Sequence, residues 1–324
     1  MIRWGIVGLG NMANHFANAS KEMENVELKA IASQSNSKLN NFSEKFNIDK
    51  KYSFKSYDEL INCDEIDALY IATLNNSHLE LILKSAEAKK NILCEKPIGL
   101  NHNEAKEAYK AITENKINFY EAIAYYSHPQ KYEIKKIIEN NEIGEIQEIK
   151  SSFGFKSRFN PSSRLYNKNL GGGAILDVGC YPISFLMLFV NELSDFKFLK
   201  KNIIHAKSGV DQTATAKISL KEKINVEIKV SICENYENNS VITGSKGSVI
   251  IPEPWIPNKK SYMDISHNNN FYKKFINSNL STYAYQIKMV SNAFLNKSTS
   301  DENLFNINKS LLCSNLLDQW KIIN

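Results

Sequence analysis

Apolar residues follow two different rhythms along this chain. Up to about residue 123, short unbroken apolar runs alternate with stretches of helical spacing. Ile2–Val7, Glu27–Ala32, Ile66–Thr73, Asn91–Cys94 and Asn118–Ile123 read as strands. Asn11–Met23, Lys38–Phe46, His78–Lys89 and Glu104–Glu114 carry helical spacing between them. Strands that are apolar throughout are buried on both faces, which is the mark of a parallel sheet covered by helices.

The rhythm then changes. Glu145–Phe155, Thr213–Leu220 and Asn225–Ile232 predict longer strands, and the last alternates Val226, Ile228, Val230 and Ile232 against Glu227, Lys229 and Ser231. Such alternation predicts an antiparallel sheet with one face exposed. Hairpins are expected at Ser219–Lys223 and Gly244–Gly247, and helices over Tyr283–Phe294 and Asn303–Lys321. The expected fold is α/β, with a dinucleotide-binding domain over residues 1–121 and a C-terminal α/β domain with a large, mostly antiparallel sheet over 122–324.

Composition narrows the function. The 324 residues are 43% hydrophobic and 23% charged, and 40 basic against 35 acidic residues leave a net charge of +5. The lysines are scattered, so no nucleic-acid partner is expected. No apolar run is long enough to span a bilayer, and the chain opens on a strand pattern, so no membrane partner and a cytoplasmic location are expected. Five dispersed cysteines without a CxxC suit reduced thiols, and the six dispersed histidines have no metal-ligand spacing. Arginine occurs only at positions 3, 158 and 164. In a lysine-biased chain, Arg158 and Arg164 beside Pro161 point to a planar anionic or multi-hydroxyl partner, or else to an ion pair at a helix end.

Gly8-Leu9-Gly10-Asn11-Met12-Ala13 fits G-x-G-x-x-A and lies between a strand and a helix. Gly8 permits the tight turn, Gly10 lets backbone approach a pyrophosphate, and the helix start with Asn11 and Met12 faces the diphosphate. The second strand ends in Ser33-Gln34-Ser35, with no acid to accept a ribose 2′-hydroxyl. With Lys38 one turn later, this favours NADP as the form of NAD(P) bound.

Cys94-Glu95-Lys96-Pro97 ends a strand of the parallel sheet, so Glu95 and Lys96 emerge at the carboxyl edge, where such sheets bind ligands. The other reading of the pair is a surface ion pair. Gly171–Gly173 precede a helix expected to run to about Phe189. Asp177 and Tyr181, four apart, share one face of it. A phenol near an ammonium is a workable proton donor and acceptor, because the positive charge lowers its pKa. A packed core tyrosine and a local helix-turn acceptor are the plainer alternatives for Tyr181 and Asp177. Tyr125 could wall a sugar site or pack at the domain boundary.

Taken together, Gly8–Ala13, Glu95-Lys96-Pro97 and Gly171–Tyr181 resemble the Gfo/Idh/MocA oxidoreductases, over nearly the whole chain. Ala72–His78 is similar to that family's A-T-P-N-x-x-H cofactor loop, with Leu74 where proline is usual, which implies cofactor roles for Thr73, Asn75 and His78. Tyrosine at 181 resembles the branch with glucose-fructose oxidoreductase, dihydrodiol dehydrogenase and aldose dehydrogenases. The resemblance implies hydride transfer between nicotinamide and a carbinol or carbonyl carbon of a sugar, polyol or cyclic diol. Lys96 would orient the substrate hydroxyl, Tyr181 move the proton and Asp177 position the substrate. It also implies a homodimer or homotetramer built through the second sheet. A non-enzymatic dinucleotide-binding regulator, and a glycosidase or lyase using bound NAD without net redox, are the alternatives.

Overall fold

A computed structural model describes residues 1–190, 192–268, 270–296 and 303–322. The chain packs as two units, the first made of Met1–Ser127 with Tyr283–Leu311, the second of His128–Thr282 with Leu312–Asn324.

The first unit is a six-stranded parallel sheet. Its strands are β1 (Ile2–Val7), β2 (Val26–Ala32), β3 (Ser53–Phe54), β4 (Ala68–Ile71), β5 (Asn91–Cys94) and β6 (Phe119–Glu121), in the order β3-β2-β1-β4-β5-β6. Helices α1 (Asn11–Ser20), α2 (Asn36–Phe46), α3 (Tyr57–Ile61), α4 (His78–Glu87) and α5 (His102–Asn115) connect them. This is the strand order of a Rossmann sheet, and the switch point falls between β1 and β4. Every side chain of β4 is buried, as the unbroken apolar run requires. Helix starts are written in the sequence: Asn101 accepts the N–H of Glu104 at 3.0 Å, and the Glu104 carboxylate returns to the N–H of Leu100 at 2.8 Å. Arg3 is committed to structure, bonding Asp67 at 2.7 Å and Glu65 at 3.1 Å. Residues 283–311 return to this unit through Trp4, whose indole N–H donates to Ser291 Oγ at 3.1 Å while its ring meets Phe16 and Phe294.

The second unit is built on an eight-stranded sheet that sequence periodicity had only partly outlined. It begins with α6 (Pro129–Glu139), followed by β7 (Ile146–Gly154), a π-helical turn (Ile175–Gly179) and α7 (Cys180–Leu186). Then come β8 (Phe196–His205), β9 (Asp211–Leu220), β10 (Ile224–Ser231), β11 (Ser240–Gly244), β12 (Gly247–Ile251), β13 (Lys260–His267) and β14 (Asn270–Asn277). Helices α8 (Thr282–Leu295) and α9 (Ile307–Lys321) close the chain. The strand order is β14-β13-β12-β11-β7-β10-β9-β8, and only β7 with β10 is parallel. The β10 alternation is realised up to Val230: Val226, Ile228 and Val230 are buried while Glu227 and Lys229 are exposed, but Ser231, expected on the exposed side, is buried beside the Thr213 hydroxyl.

The single helix expected from Gly173 to Phe189 is not regular. Its first turn is widened into a π turn, and the α-helix starts only at Cys180. The cause lies at its entrance. Asp211 Oδ2 accepts the Ile175 N–H at 2.6 Å, and a Cβ on Gly173, at a φ of +121°, would stand 2.3 Å from Asp211 Oδ1. Only glycine fits between that carboxylate and the turn.

Candidate active site

The glycine pattern of the first unit sits where β1 gives way to α1. Gly8 adopts a φ of +90°, and a Cβ there would meet Thr73 Cγ2 at 2.7 Å and the Ala72 carbonyl at 2.9 Å. Gly10 differs. It is extended, nothing lies within 4 Å of an added Cβ, and no side chain caps the helix that begins at Asn11. Met12 follows in the same first turn, and Ala13 is fully buried against the sheet. Open space before an uncapped helix N-terminus fits the diphosphate of a dinucleotide.

At the end of β2, Ser33 Oγ accepts the N–H of Ser35, and Ser35 Oγ accepts the N–H of Lys38 at 3.4 Å. These serines shape the turn, whereas Gln34 and Lys38 are exposed. Gln34 lies on a cleft of about 410 Å³ whose wall also carries Lys55, Tyr57, Asp58 and Lys84. Lys84 is neutralised by Asp58 and Glu80, each at 2.9 Å. Lys55 has no ion pair among the described residues. Sequence reading passed over this lysine because β3 is only two residues long and gives no periodic signal.

The loop after β4 is tied to the turn after β5. Ser77 Oγ donates to Thr73 Oγ1 at 2.7 Å, and Asn75 opens the short helical turn between them. His78 is fully buried, with Nδ1 2.7 Å from the Pro97 carbonyl and Nε2 3.3 Å from that of Thr73. Burial lowers its pKa, which favours a neutral ring donating one N–H to Pro97. His78 therefore supports the cofactor loop by holding it against the residue that follows Lys96.

That turn carries most of the charge. Glu95 is buried, its N–H bonds the Ile71 carbonyl at 2.9 Å, and its carboxylate accepts a short hydrogen bond from the Tyr70 hydroxyl. Burial, followed by the Glu95 charge, holds the Tyr70 phenol well above its ordinary range. The same two causes, in the same order, raise Tyr283, whose ring stacks on His15. Lys96 is half-buried beside them. Glu121, at the end of β6, accepts the Ile98 N–H at 3.1 Å. Burial pushes its carboxyl up to about 7; Glu95 adds to the shift, while hydrogen bonding and Lys96 oppose it. Tyr70, Tyr283 and Glu121 escaped the sequence reading because nothing local marks a phenol or carboxyl that meets its partner only in the folded sheet. Tyr125 is buried in a short helical turn, edge-on to Tyr126.

In the second unit, Asp177 lies in the π turn and is buried, while Arg164 Nη1 reaches its Oδ1 at 2.8 Å from a largely exposed position. The sequence pattern had offered Arg164 either a ligand or an ion pair, and here it has the pair. Arg158 is exposed, with no ion pair among the described residues. Tyr181 opens α7, its ring edge-on to Phe153 at 5.0 Å and tilted against Trp255 at 6.0 Å. The Trp255 indole donates to the Ser152 carbonyl at 2.9 Å, which fixes that wall. Among the described residues no group of three or more His, Cys, Asp or Glu could hold a metal, and no helix is long and apolar enough to cross a membrane.

Residues 2–122 match the oxidoreductase family described as having an NAD-binding Rossmann fold, and residues 132–250 match the GFO/IDH/MocA C-terminal domain. The chain belongs to the GFO/IDH/MocA oxidoreductases, and it is an NAD(P)-dependent dehydrogenase or reductase. It is 29% identical over 328 residues to a trans-1,2-dihydrobenzene-1,2-diol dehydrogenase of Xenopus tropicalis, covering 98% of this chain and 96% of the relative. The Mus musculus enzyme of the same name is 30% identical, over 79% of this chain and 76% of its own. In fold it is similar to a 3-ketoreductase from Actinomadura kijaniata in complex with NADP and TDP-benzene (TM-score 0.89, 24% identity, 98% and 96% coverage). It is also similar to an aldose-aldose oxidoreductase from Caulobacter crescentus complexed with glycerol (TM-score 0.89, 18% identity, 98% and 96% coverage).

The two glycines separate fold from binding. Gly10→Ala should leave the melting temperature nearly unchanged yet weaken NADPH binding about tenfold, about 1.4 kcal/mol. Gly8→Ala should lose at least about 1–3 kcal/mol of stability from backbone strain alone. Denaturant unfolding and a fluorescence titration with NADPH check both, and equal binding by Gly10→Ala would place the diphosphate elsewhere.

Proposed function

We propose that this enzyme interconverts a carbinol and a carbonyl on a small polyhydroxylated substrate, with a cyclic trans-diol as the first candidate and sugars or polyols as the wider class. The diol is favoured by the dihydrodiol dehydrogenase of Xenopus tropicalis, which matches over 98% of this chain. A bound nicotinamide supplies the hydride chemistry. This chain supplies the proton and the orientation. Lys96 orients the reacting hydroxyl, and Tyr181 takes or returns the proton. Asp177, held in place by Arg164, accepts a second substrate hydroxyl. Arg158 and Tyr125 complete the substrate contacts. The carrying observation is that Lys96 stands half-buried at the carboxyl end of β5, next to a Glu95 already bonded to Tyr70. A lysine on an ordinary surface would have neither the burial nor the fixed neighbour.

Gly8, Gly10, Asn11, Met12, Ser33, Gln34, Lys38, Thr73, Asn75, Glu95 and Lys96 are proposed to line the dinucleotide, with His78 behind them. NADP is preferred, because no acid ends β2 and Lys55, on the cleft wall that Gln34 shares, has no ion pair among the described residues. A second copy of the chain is proposed to cover the exposed face of the larger sheet, as a homodimer or homotetramer. There Phe271 and Phe275 are 82% and 68% exposed, and Ile250, Phe271 and Tyr272 line a depression of about 360 Å³. All five cysteines are free thiols, which suits a cytoplasmic location.

Oxidation of trans-1,2-dihydrobenzene-1,2-diol with NADP⁺, followed by cofactor absorbance, tests the catalytic reading. Lys96→Met and Tyr181→Phe should each lower kcat by about 10²–10⁴-fold, the range of a lost proton-transfer group, with cofactor affinity nearly unchanged in Tyr181→Phe. Full turnover by either variant would remove that residue from the chemistry. In binding titrations NADPH should win over NADH, and Lys55→Ala should narrow the preference about tenfold; an unchanged ratio would discharge Lys55. Sedimentation should show an oligomer that Phe271→Glu with Phe275→Glu shifts toward monomer, while a monomeric parent protein would rule the interface out.

A further inference from the structure

Glu121 is the last residue of β6 and is paired in register with Cys94, the last residue of β5. The two strands end side by side, so the Glu121 side chain enters the neighbouring turn that carries Glu95 and Lys96. Its Oε1 accepts the N–H of Ile98, two residues beyond Lys96, at 3.1 Å. The residue is 3% exposed, and among the described residues no group stands within full hydrogen-bond distance of Oε2, although the Ser310 hydroxyl acts on the carboxyl from nearby. Packing alone does not account for such a group, since an apolar side chain of the same size would avoid the desolvation.

The groups that face Glu121 come from three elements. Glu95 and Lys96 approach from the turn after β5, the Cys94 thiol from β5 itself, and the Ser310 hydroxyl from α9. Lys309, also on α9, is turned elsewhere, to the Leu304 carbonyl and the Tyr126 ring. Lys96 is the cation that acts on this carboxyl from the turn, and Glu95 is the other carboxylate there.

We propose that Glu121 is a positioning residue for Lys96: one carboxyl oxygen fixes the turn that presents the ammonium, and the proton on the carboxyl decides whether that ammonium faces one carboxylate or two. The proposal rests on the reading of Lys96 as catalytic. Burial keeps the Glu121 proton in place up to about pH 7. Below that pH, Glu95 is the charged carboxyl of the two. Above it, a second buried negative charge holds the Lys96 proton more firmly and weakens the pull of the ammonium on any nearby phenol. The pair would thus read pH at the neutral point through one hidden carboxyl.

The test uses the full-length protein labelled with [ε-¹³C]lysine, with the Lys96 resonance assigned by its loss in Lys96→Met. Lysine side chains stay charged through neutral pH, so any shift there reports a neighbour. The Lys96 resonance should move with a midpoint near pH 7 in the parent protein. Glu121→Gln, whose amide oxygen can still accept the Ile98 N–H, should keep the resonance and lose the step. Glu121→Ala should also speed hydrogen exchange at Ile98, and Gln should restore its protection. A step that survives in Glu121→Gln, or a parent protein with no step near neutrality, would overturn the proposal. Turnover by Lys96→Met bears on the catalytic role of Lys96 separately, because the resonance reads the Glu121 charge whether or not Lys96 is catalytic.

Discussion

Burying carboxylates at the carboxyl edge of a parallel sheet is the constraint around which the first unit is organised. Glu95 and Glu121 end adjacent strands, and both are almost wholly withdrawn from water. A buried carboxylate persists only where hydrogen bonds or opposite charge offset its desolvation. Glu95 meets that demand with the Tyr70 hydroxyl, and Glu121 meets part of it with the Ile98 N–H. Lys96 lies in the field of both, so its surroundings are set before any ligand arrives. Catalytic groups gain most when their electrostatic environment needs no reorganisation at the moment of reaction.

The second unit solves a similar problem by different means. Asp177 is buried on a π turn and offset by Arg164, which approaches from a largely exposed loop. Asp211 is partly buried, and it holds the entrance of the same turn through the Ile175 N–H. One carboxylate thus shapes the backbone and the other is presented by it. A regular α-helix over these residues would have no wide turn at Asp177, and π turns recur at functional sites because they re-aim a side chain at small cost to the helix. Tyr181, on the first turn beyond, has its ring fixed by Phe153 and Trp255.

Much of this was legible in the sequence because local rules dominate it. Unbroken apolar runs gave β1, β4 and β5, the G-x-G-x-x-A pattern gave the βα turn, and alternation gave β10. β8 went unseen because Lys197, Lys200 and Lys201 interrupt its pattern, as suits an edge strand protected against further pairing. β14, the opposite edge, exposes nearly every side chain and so carries no alternation to detect. The return of residues 283–311 to the first unit depends on Trp4 meeting Ser291, 287 positions away. No window of sequence reports such a contact. The candidate residues divided the same way: Glu95, Lys96, Asp177 and Tyr181 stood out by motif, while Tyr70, Glu121 and Lys55 acquire meaning only from their neighbours in space.

Those neighbours bear on how one fold can serve different chemistry. The Rossmann sheet dictates where a dinucleotide can lie, but it leaves the charge state of the turn after β5 to a few buried side chains. Replacing Glu121 with an apolar residue would leave the strand order and the glycine turn intact, and would remove a carboxyl that becomes a negative charge near Lys96 only above about pH 7. Replacing Tyr70 would remove the buried hydroxyl that bonds Glu95 and shift that carboxyl toward the neutral form, because a hydrogen bond to the charged form favours it. The two changes act on the same ammonium by different routes, one by deleting a charge and the other by neutralising it. The chemical character of the site therefore resides in the packing beneath the turn as much as in the residues that reach the substrate.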